Sequence, residues 1–318
     1  MDKIKFASLF VVCALLIWGC AGNKNVGVAL ENNNAAETES GKHFFWKVSD
    51  ENSSVWVLGS IHFADSTFYP MDSVIENAFD SAQELAVEMN IREESVSQEV
   101  VQQSLQKGLL PAGTSLNQVI PVSVWNSLDS LCSAWNYPIA MFKRLRPWFV
   151  STTLSGLAME RMGLDGSMGV DAVLLDRARD EGKNIVGMET AEEQIDAMSS
   201  NDESDSAGAF YLRNTLREIG ELDSMVTRLI RAWKTGDEDL LRQVLNADTA
   251  ITEEDKVFEQ KFEEQIYTTR NGKMAEFIAS YLKDDRNVFV VVGVAHLMLD
   301  DDNVISLLRR KGFKVERF

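Results

Sequence analysis

The chain has 318 residues, of which 45% are hydrophobic and 25% charged, enough for one large or two small domains with a real core. Its 49 acidic against 31 basic residues leave a net charge of -18, which argues against nucleic acid as a partner, because phosphate binding needs concentrated Lys and Arg. Acidity of this kind otherwise marks a solvated surface and names no partner.

In chain order, the N-terminus reads as an address and not as part of the fold. Lys3 and Lys5 precede an apolar run from Phe6 to Trp18, too short to span a bilayer and of the length of a signal-peptide h-region. Ile17-Trp18-Gly19-Cys20 then sets a small residue directly before a cysteine, in the manner of a bacterial lipobox, although Trp18 is bulky for that motif. On this reading residues 1–20 are a lipoprotein signal, Cys20 is the lipidated first residue of the mature protein, and the membrane is a partner through that lipid. The location expected is the cell envelope, periplasmic or on the outer surface. Cys13 leaves with the signal, so Cys132 remains as a lone thiol and no intramolecular disulfide can form. Cys132 shares an apolar helical face with Leu128, Leu131 and Trp135 and has no local base, which suits a buried structural thiol better than a nucleophile.

Residues 21–42 are rich in Asn, Ala, Gly and Glu without apolar periodicity and read as a flexible tether. The folded domain, 43–318, opens with two aromatic and β-branched runs, "HFFWKV" and "SVWVLGS", separated by the turn-forming Ser49-Asp50-Glu51-Asn52, which predicts a β-hairpin. Met71, Val74, Ile75, Ala78 and Phe79 recur at helical spacing, and "ELAVEM" is a short strand ending on Glu88. Helical periods follow through 95–107, 121–135, 147–162 and 170–180, with Pro111, Pro121, Pro138 and Pro147 marking breaks or starts. "KNIVGME" is another short strand, "NDESD" (201–205) a surface loop, and 204–285 a charged helical stretch. "NVFVVVGVA" is the clearest strand, its lack of alternation predicting burial on both faces. "DNVISLLRRKG" predicts a helix closed by Gly312, and "FKVERF" a last strand. The fold class expected is mixed α/β (α+β): a central mixed sheet from strands near both chain ends, with a large helical insertion in the middle.

Two of the three histidines, His62 and His296, end apolar runs in the same Gly-x-x-His frame, more than two hundred residues apart. Just past buried strands, side chains are held rigidly yet face a crevice. Four residues share that position: His62, Glu88, Glu189 and His296. If their strands are neighbours, two imidazoles and two carboxylates converge. Two His and a Glu can hold a divalent metal with a position open for water. Alternatively, one His steered by a carboxylate is a general base that works without metal.

Seven segments in order resemble the TraB/GumN family, which includes the Tiki proteins: "FFWKV", "VWVLGSIHFAD", "ELAVEM", "LLPAGTSLNQVIP", "MGVDAVLLDRARDEGKNIVGMETAEEQ", "TTRNGKMAEFI" and "VFVVVGVAHLMLDDDNVISLLRRKGFKV". The resemblance covers about 44 to 318. It implies kinship with erythromycin esterases and ChaN-like proteins, a mixed α/β core with a helical insertion, and an active-site rim of His62, Glu88, Arg270 and His296. Because Tiki relatives are described as metal-dependent proteases, it implies His62, Glu88 and His296 as ligands of a divalent ion such as manganese, cobalt or zinc. Asp171, Glu189 and Asn271 would support them from behind. "GVAHLMLDDDNV" lacks the glycine that relatives commonly carry after the second His, so the loop there differs in shape.

The residues themselves place Arg270 at a helix start or turn, where it could clamp a substrate or pair with an acid. Asp171 could act as a first-turn helix residue, and Glu189 as a cap for "TAEEQ". The function expected is a lipid-anchored, metal-dependent hydrolase of a peptide or related amide or ester, a small-molecule substrate included. The alternative is a binding protein that sequesters a peptide or metal-bearing ligand at the same rim without turnover.

Overall fold

A computed structural model describes residues 42–200, 204–245, 252–283, 286–299 and 301–318. The expected signal, the Cys20 lipid site, nearly all of the tether and the first three residues of the 201–205 loop lie outside the described residues.

The apolar runs from the two ends of the chain pair with each other. One sheet contains β1 (Phe45–Ser49), β2 (Ser54–Ser60), β3 (Glu84–Val87), β4 (Asn184–Gly187), β5 (Val288–Gly293) and β6 (Lys314–Arg317), in the order β4-β3-β5-β2-β1-β6. β1 and β2 form the expected hairpin, and the Asp50 carboxylate shapes its turn by accepting from the Asn52 and Ser53 amides. β2, β5, β3 and β4 are parallel, whereas β1 is antiparallel to both β2 and β6. Every residue of β5 is buried, so both faces of the sheet are covered there. Phe289 stacks on Phe45 at 5.7 Å and meets Phe79 edge-on at 5.5 Å.

Helices fill the chain between the strands, making the fold mixed α/β. They are α1 (Ser73–Ser81), α2 (Glu94–Gly108), α3 (Leu116–Val119), α4 (Val122–Trp135), α5 (Pro147–Arg161), α6 (Val170–Asp180) and α7 (Ala191–Ser199). After them come α8 (Asp205–Ile219), α9 (Leu222–Thr235), α10 (Glu238–Leu245), α11 (Glu253–Glu263), α12 (Thr269–Tyr281), α13 (Val294–Met298) and α14 (Val304–Arg310). α4 and part of α5 build a satellite core around Leu116, Leu128, Phe142 and Leu154. Cys132 lies in it, and burial pushes its thiol up to about 11, which keeps it protonated and inert. α5 is buried on most sides because it serves three cores: Trp148 joins the main core, Leu154 the satellite, and Met159 a third cluster with Phe63 and Val226.

Two local expectations change. The run "NVFVVVGVA" does not stay a strand to its end: β5 stops at Gly293, and Val294–Met298 turn into α13, buried throughout. A short apolar stretch buried on all sides carries no period to tell strand from helix. His296 therefore projects from a helical turn three residues beyond the strand. "TTRNG" is not a helix start either. α11 passes through a π-helical turn, Glu264–Thr268, straight into α12, so Arg270 and Asn271 lie inside one continuous helical run. The wider turn re-aims the side chains after it, a feature found often beside functional sites.

α9 is tied to the sheet at the end of β2, where the buried Trp233 indole N–H donates to the Gly59 carbonyl at 2.8 Å. Trp233→Phe removes this donor together with the pyrrole half of a buried ring. The expected cost is about 1–3 kcal/mol, read as a lower urea midpoint with an unchanged m-value; an unaltered midpoint would show that the bond carries no weight.

Candidate functional site

The four parallel strands deliver their following residues to one edge. Glu88 follows β3 directly, His62 and Glu189 stand two residues past β2 and β4, and His296 comes from α13 after β5. Since β4, β3, β5 and β2 are consecutive in the sheet, the four side chains predicted to converge do so.

Arg270, reaching in from α12, binds the two carboxylates together. Its Nε and Nη2 donate to Glu189 at 2.8 and 2.7 Å, Nη2 also donates to Glu88 Oε2 at 2.7 Å, and Nη1 donates to the Ile266 carbonyl at 3.1 Å. Glu88, Glu189 and Arg270 are all buried. Arg270 is therefore a positioning residue at the rim, its fork consumed by the protein's own acids and not held open for a substrate. Glu189 is not the helix cap: Thr190 caps α7 in a box with Glu193, which releases Glu189 for the guanidinium. Gln194, also buried, donates its amide to Glu189 Oε2 at 3.1 Å and to Glu88 Oε2 at 3.4 Å. Burial opposes a charge on Glu88, but His296, Arg270, His62 and the Gly293 N–H, 2.6 Å from Oε1, together hold its carboxyl well below the usual range.

Each histidine has its Nδ1 engaged from behind. The segment after β2 is zipped to the segment before α6 by Ala64 and Asp165, which exchange backbone bonds, and by the Val170 N–H to the Ile61 carbonyl at 2.9 Å. Gly169 allows this approach, since a Cβ there would stand 2.4 Å from the His62 carbonyl oxygen. Asp171, in the first turn of α6, thereby brings Oδ2 to 3.0 Å from His62 Nδ1, close but not aligned as a full hydrogen bond. Burial opposes a charge on His62, yet Asp171 and more weakly Glu88 raise its pKa above the ordinary value. His296 Nδ1 faces Asn271 Oδ1 at 2.7 Å, and Asn271 is fixed in that sense because its amide donates to the Asp302 carbonyl. Burial first, then Arg270, push the His296 pKa down to about 3, so its ring is neutral near pH 7. Both partners are acceptors, which puts a proton on Nδ1 of each ring; the neutral His296 keeps a lone pair on Nε2, and His62 gains one when it gives up its second proton.

Gly293 marks where these atoms meet. A Cβ on it would lie 3.0 Å from His62 Nε2, 3.3 Å from Glu88 Oε1 and 3.8 Å from His296 Cδ2. His62 Nε2, Ser60 Oγ, Asp171 Oδ1 and Gln194 Oε1 are buried here without a hydrogen-bond partner, a cluster that calls for a ligand or solvent. Two cavities open on the point and share Ser60 and His62. One is an apolar cleft that also reaches His296; the other has a mixed lining, with Glu88, Asp171 and Gln194 set among Val87, Met89 and Leu175.

All the residues singled out in the sequence are here: His62, Glu88, Asp171, Glu189, Arg270, Asn271 and His296. Ser60, Gln194 and Gly293 were missed. Ser60 and Gly293 lie within the two Gly-x-x-His segments and Gln194 closes "METAEEQ", so the signal was membership of a motif and not any chemistry of their own.

The donor set fits a divalent cation. Glu88 and Glu189 share one guanidinium while Asp171 stands beside His62, so three carboxylates and one Arg leave the site two negative charges in excess with both rings neutral, and one in excess with His62 protonated. His62 Nε2, His296 Nε2 and Glu88 Oε1, the last already accepting from the Gly293 N–H, are the candidate donor atoms. Glu88 Oε1 and His296 Nε2 stand 3.9 Å apart, against about 3.3 Å for the edge of a tetrahedral site with bonds of 2.0–2.1 Å. Among the described residues no three such side chains are already drawn up at ligand spacing.

A sheet with a histidine–carboxylate rim at its parallel carboxyl edge, backed by an insertion of helices, is the kind of α/β protein that houses a ligand or reaction centre. The chain belongs to the TraB/PrgY/gumN family, whose pattern it matches over residues 44–317. It is similar to an uncharacterised protein of Treponema pallidum (strain Nichols), 20% identical over 85% of this chain and 81% of the relative. It is also similar to the uncharacterised protein YbaP of Escherichia coli (strain K12), 24% identical over 49% of this chain and 57% of YbaP. No solved structure matches.

Replacing Arg270 by Met strands two buried carboxylates. The expected loss is about 3–5 kcal/mol in urea denaturation, and Arg270→Lys recovers only part of it because it cannot reproduce the two-pronged contact. A loss no larger than that of an exposed ion pair would show that Arg270 does not organise the rim.

Proposed function

We propose that the rim is the active site of a hydrolase acting on a peptide or a related amide or ester, with a divalent metal held by His62, Glu88 and His296. One observation carries this reading: His62 Nε2 and Glu88 Oε1 meet at Gly293 with the His296 ring beside them, in a buried site whose carboxylates outnumber its guanidinium three to one. A bound divalent ion would polarise the scissile carbonyl and make its water a nucleophile near neutral pH.

The chain's own contribution is orientation. Asn271 holds the His296 Nδ1 proton and Asp171 stands 3.0 Å behind His62 Nδ1, which together keep both Nε2 atoms turned to the centre. Arg270 fixes Glu88 from the far side, and the Gly293 N–H holds its second oxygen in place. The apolar cleft keeps bulk water off one side of the reacting bond. In the net step, water adds across the carbonyl–heteroatom bond: its oxygen goes to the carbonyl carbon and a proton to the leaving nitrogen or oxygen. The proposed lipid on Cys20 would hold this domain at the envelope; among the described residues no helix is long and apolar enough to cross a membrane.

Incubation of the purified protein with a peptide library should give cleavage that chelator abolishes and a divalent ion restores, with metal bound one to one. Asp171→Asn should lower metal affinity or turnover about 10–100-fold, and His62→Ala and His296→Ala should lower it further. Undiminished turnover in both histidine variants would overturn the site. Binding with no turnover under any divalent ion would make this a sequestering protein instead. Separately, Cys20→Ala should move the protein from the membrane to the soluble fraction; an unchanged distribution would remove the lipid anchor.

A further inference from the structure

Part of the helical insertion runs against the charge of the chain. Residues 100–159 hold four bases, Lys107, Lys143, Arg144 and Arg146, against one acid, Asp129, in a protein of net charge -18. Among the described residues the same stretch holds five of the seven large hydrophobic side chains left exposed, with Leu105 at 51% and Met141 at 61%. Val101 and Leu105 lie one turn apart on the same side of α2, and Leu109 leaves the helix at its end. Two backbone bonds join that end to the basic segment: the Arg146 N–H donates to the Gly108 carbonyl at 2.8 Å, and the Leu110 N–H to the Arg144 carbonyl at 2.9 Å. Leu109 thus stands opposite Leu145, which lies between Arg144 and Arg146 in the chain. Met141 precedes the segment on a 3-10 turn, Ile139–Phe142, that Lys143 closes.

These cations are mostly not spent on the protein's own acids. Lys107 pairs with Asp196, but Lys143 and Arg146 make no ion pair among the described residues, and the Arg144 guanidinium donates to the Thr114 and Leu110 carbonyls, which leaves its charge without a carboxylate. Exposed apolar side chains beside uncompensated positive charge suit a surface that is negative outside and hydrocarbon within. A second copy meeting this patch across a two-fold axis would set the same cations against each other. We propose that this face rests on an anionic phospholipid bilayer, with Leu105, Leu109 and Met141 entering the boundary between headgroups and acyl chains and Lys143 and Arg146 meeting lipid phosphates. The contact belongs to the folded domain, is separate from the lipid proposed on Cys20, and depends on neither the metal nor the hydrolase reading. The acidic remainder of the surface is repelled by such a bilayer, so the two effects together select which side of the domain faces it.

The test is amide hydrogen exchange of the full chain with vesicles of mixed phosphatidylglycerol and phosphatidylcholine, against vesicles of phosphatidylcholine alone. The readout is local, and whatever the N-terminal segment contributes is common to every sample. Exchange over residues 101–109 and 139–146 should slow on the anionic vesicles only, and added salt should reverse the effect. Lys143→Glu combined with Arg146→Glu should raise the lipid concentration for half-protection about tenfold or more. Leu105→Ser combined with Met141→Ser should raise it by a similar factor, through lost apolar insertion. All four positions lie at the surface or half-buried, Arg144 is left in place for its carbonyl contacts, and circular dichroism checks that both variants fold. No slowing on anionic vesicles, equal slowing on neutral ones, or unaltered slowing in both folded variants overturns the inference. Slowing that appears without vesicles as protein concentration rises, and that Leu105→Ser with Met141→Ser abolishes, would assign the patch to a second copy and overturn it as well.

Discussion

The Arg270 guanidinium between Glu88 and Glu189 is the contact on which the rest of the site depends. It joins the ends of β3 and β4 to α12, three pieces of chain that have no sequence proximity. A buried ion triad is not in itself a source of stability, because desolvation of its members offsets much of their attraction. Its value lies in geometry. With one oxygen of Glu88 fixed by Arg270, the other can only face Gly293, and the carboxylate cannot swing away from the histidines. The same helical run presents Asn271, one residue on, to His296. The π-helical turn before Arg270 thus sets two neighbouring side chains at once, one for the carboxylate half of the rim and one for the imidazole half.

The other half depends on packing without charge. Close approach at Gly169 lets the start of α6 reach the segment after β2, and Asp171 arrives beside His62 as a result. Behind the histidines, α5 and α9 supply apolar side chains to the cleft while serving cores of their own. The helical insertion is therefore more than a covering for the sheet: it gives the rim one of its two walls.

Much of this was legible in the sequence because strands and motif endings are local. The continuous apolar runs marked β2 and β5 as buried, and the shared Gly-x-x-His frame tied two distant segments to one edge. Glu88 and Glu189 could be seen in the same way, as residues that end short strands. What the chain conceals is partnership. Arg270 lies 81 residues from Glu189 and 182 from Glu88, in a stretch whose Thr-Thr-Arg-Asn-Gly composition imitates a helix start. Ser60 and Gln194 are small or neutral polar residues whose significance comes only from being buried with atoms unmatched. The shift from strand to helix after Gly293 was hidden because complete burial erases the period that distinguishes the two.

The place of β5 has a consequence for how the site comes into being. β2 and β3 are translated well before β5, yet they do not touch; the strand that lies between them follows long after both. Until residues 288–293 arrive, β2 and β3 each present a bare, hydrophobic edge and the two halves of the rim remain apart. The histidine–carboxylate rim is therefore completed only once β5 and the His296 turn behind it are made, and a product truncated before β5 lacks half of the rim and leaves open edges that can pair with other chains.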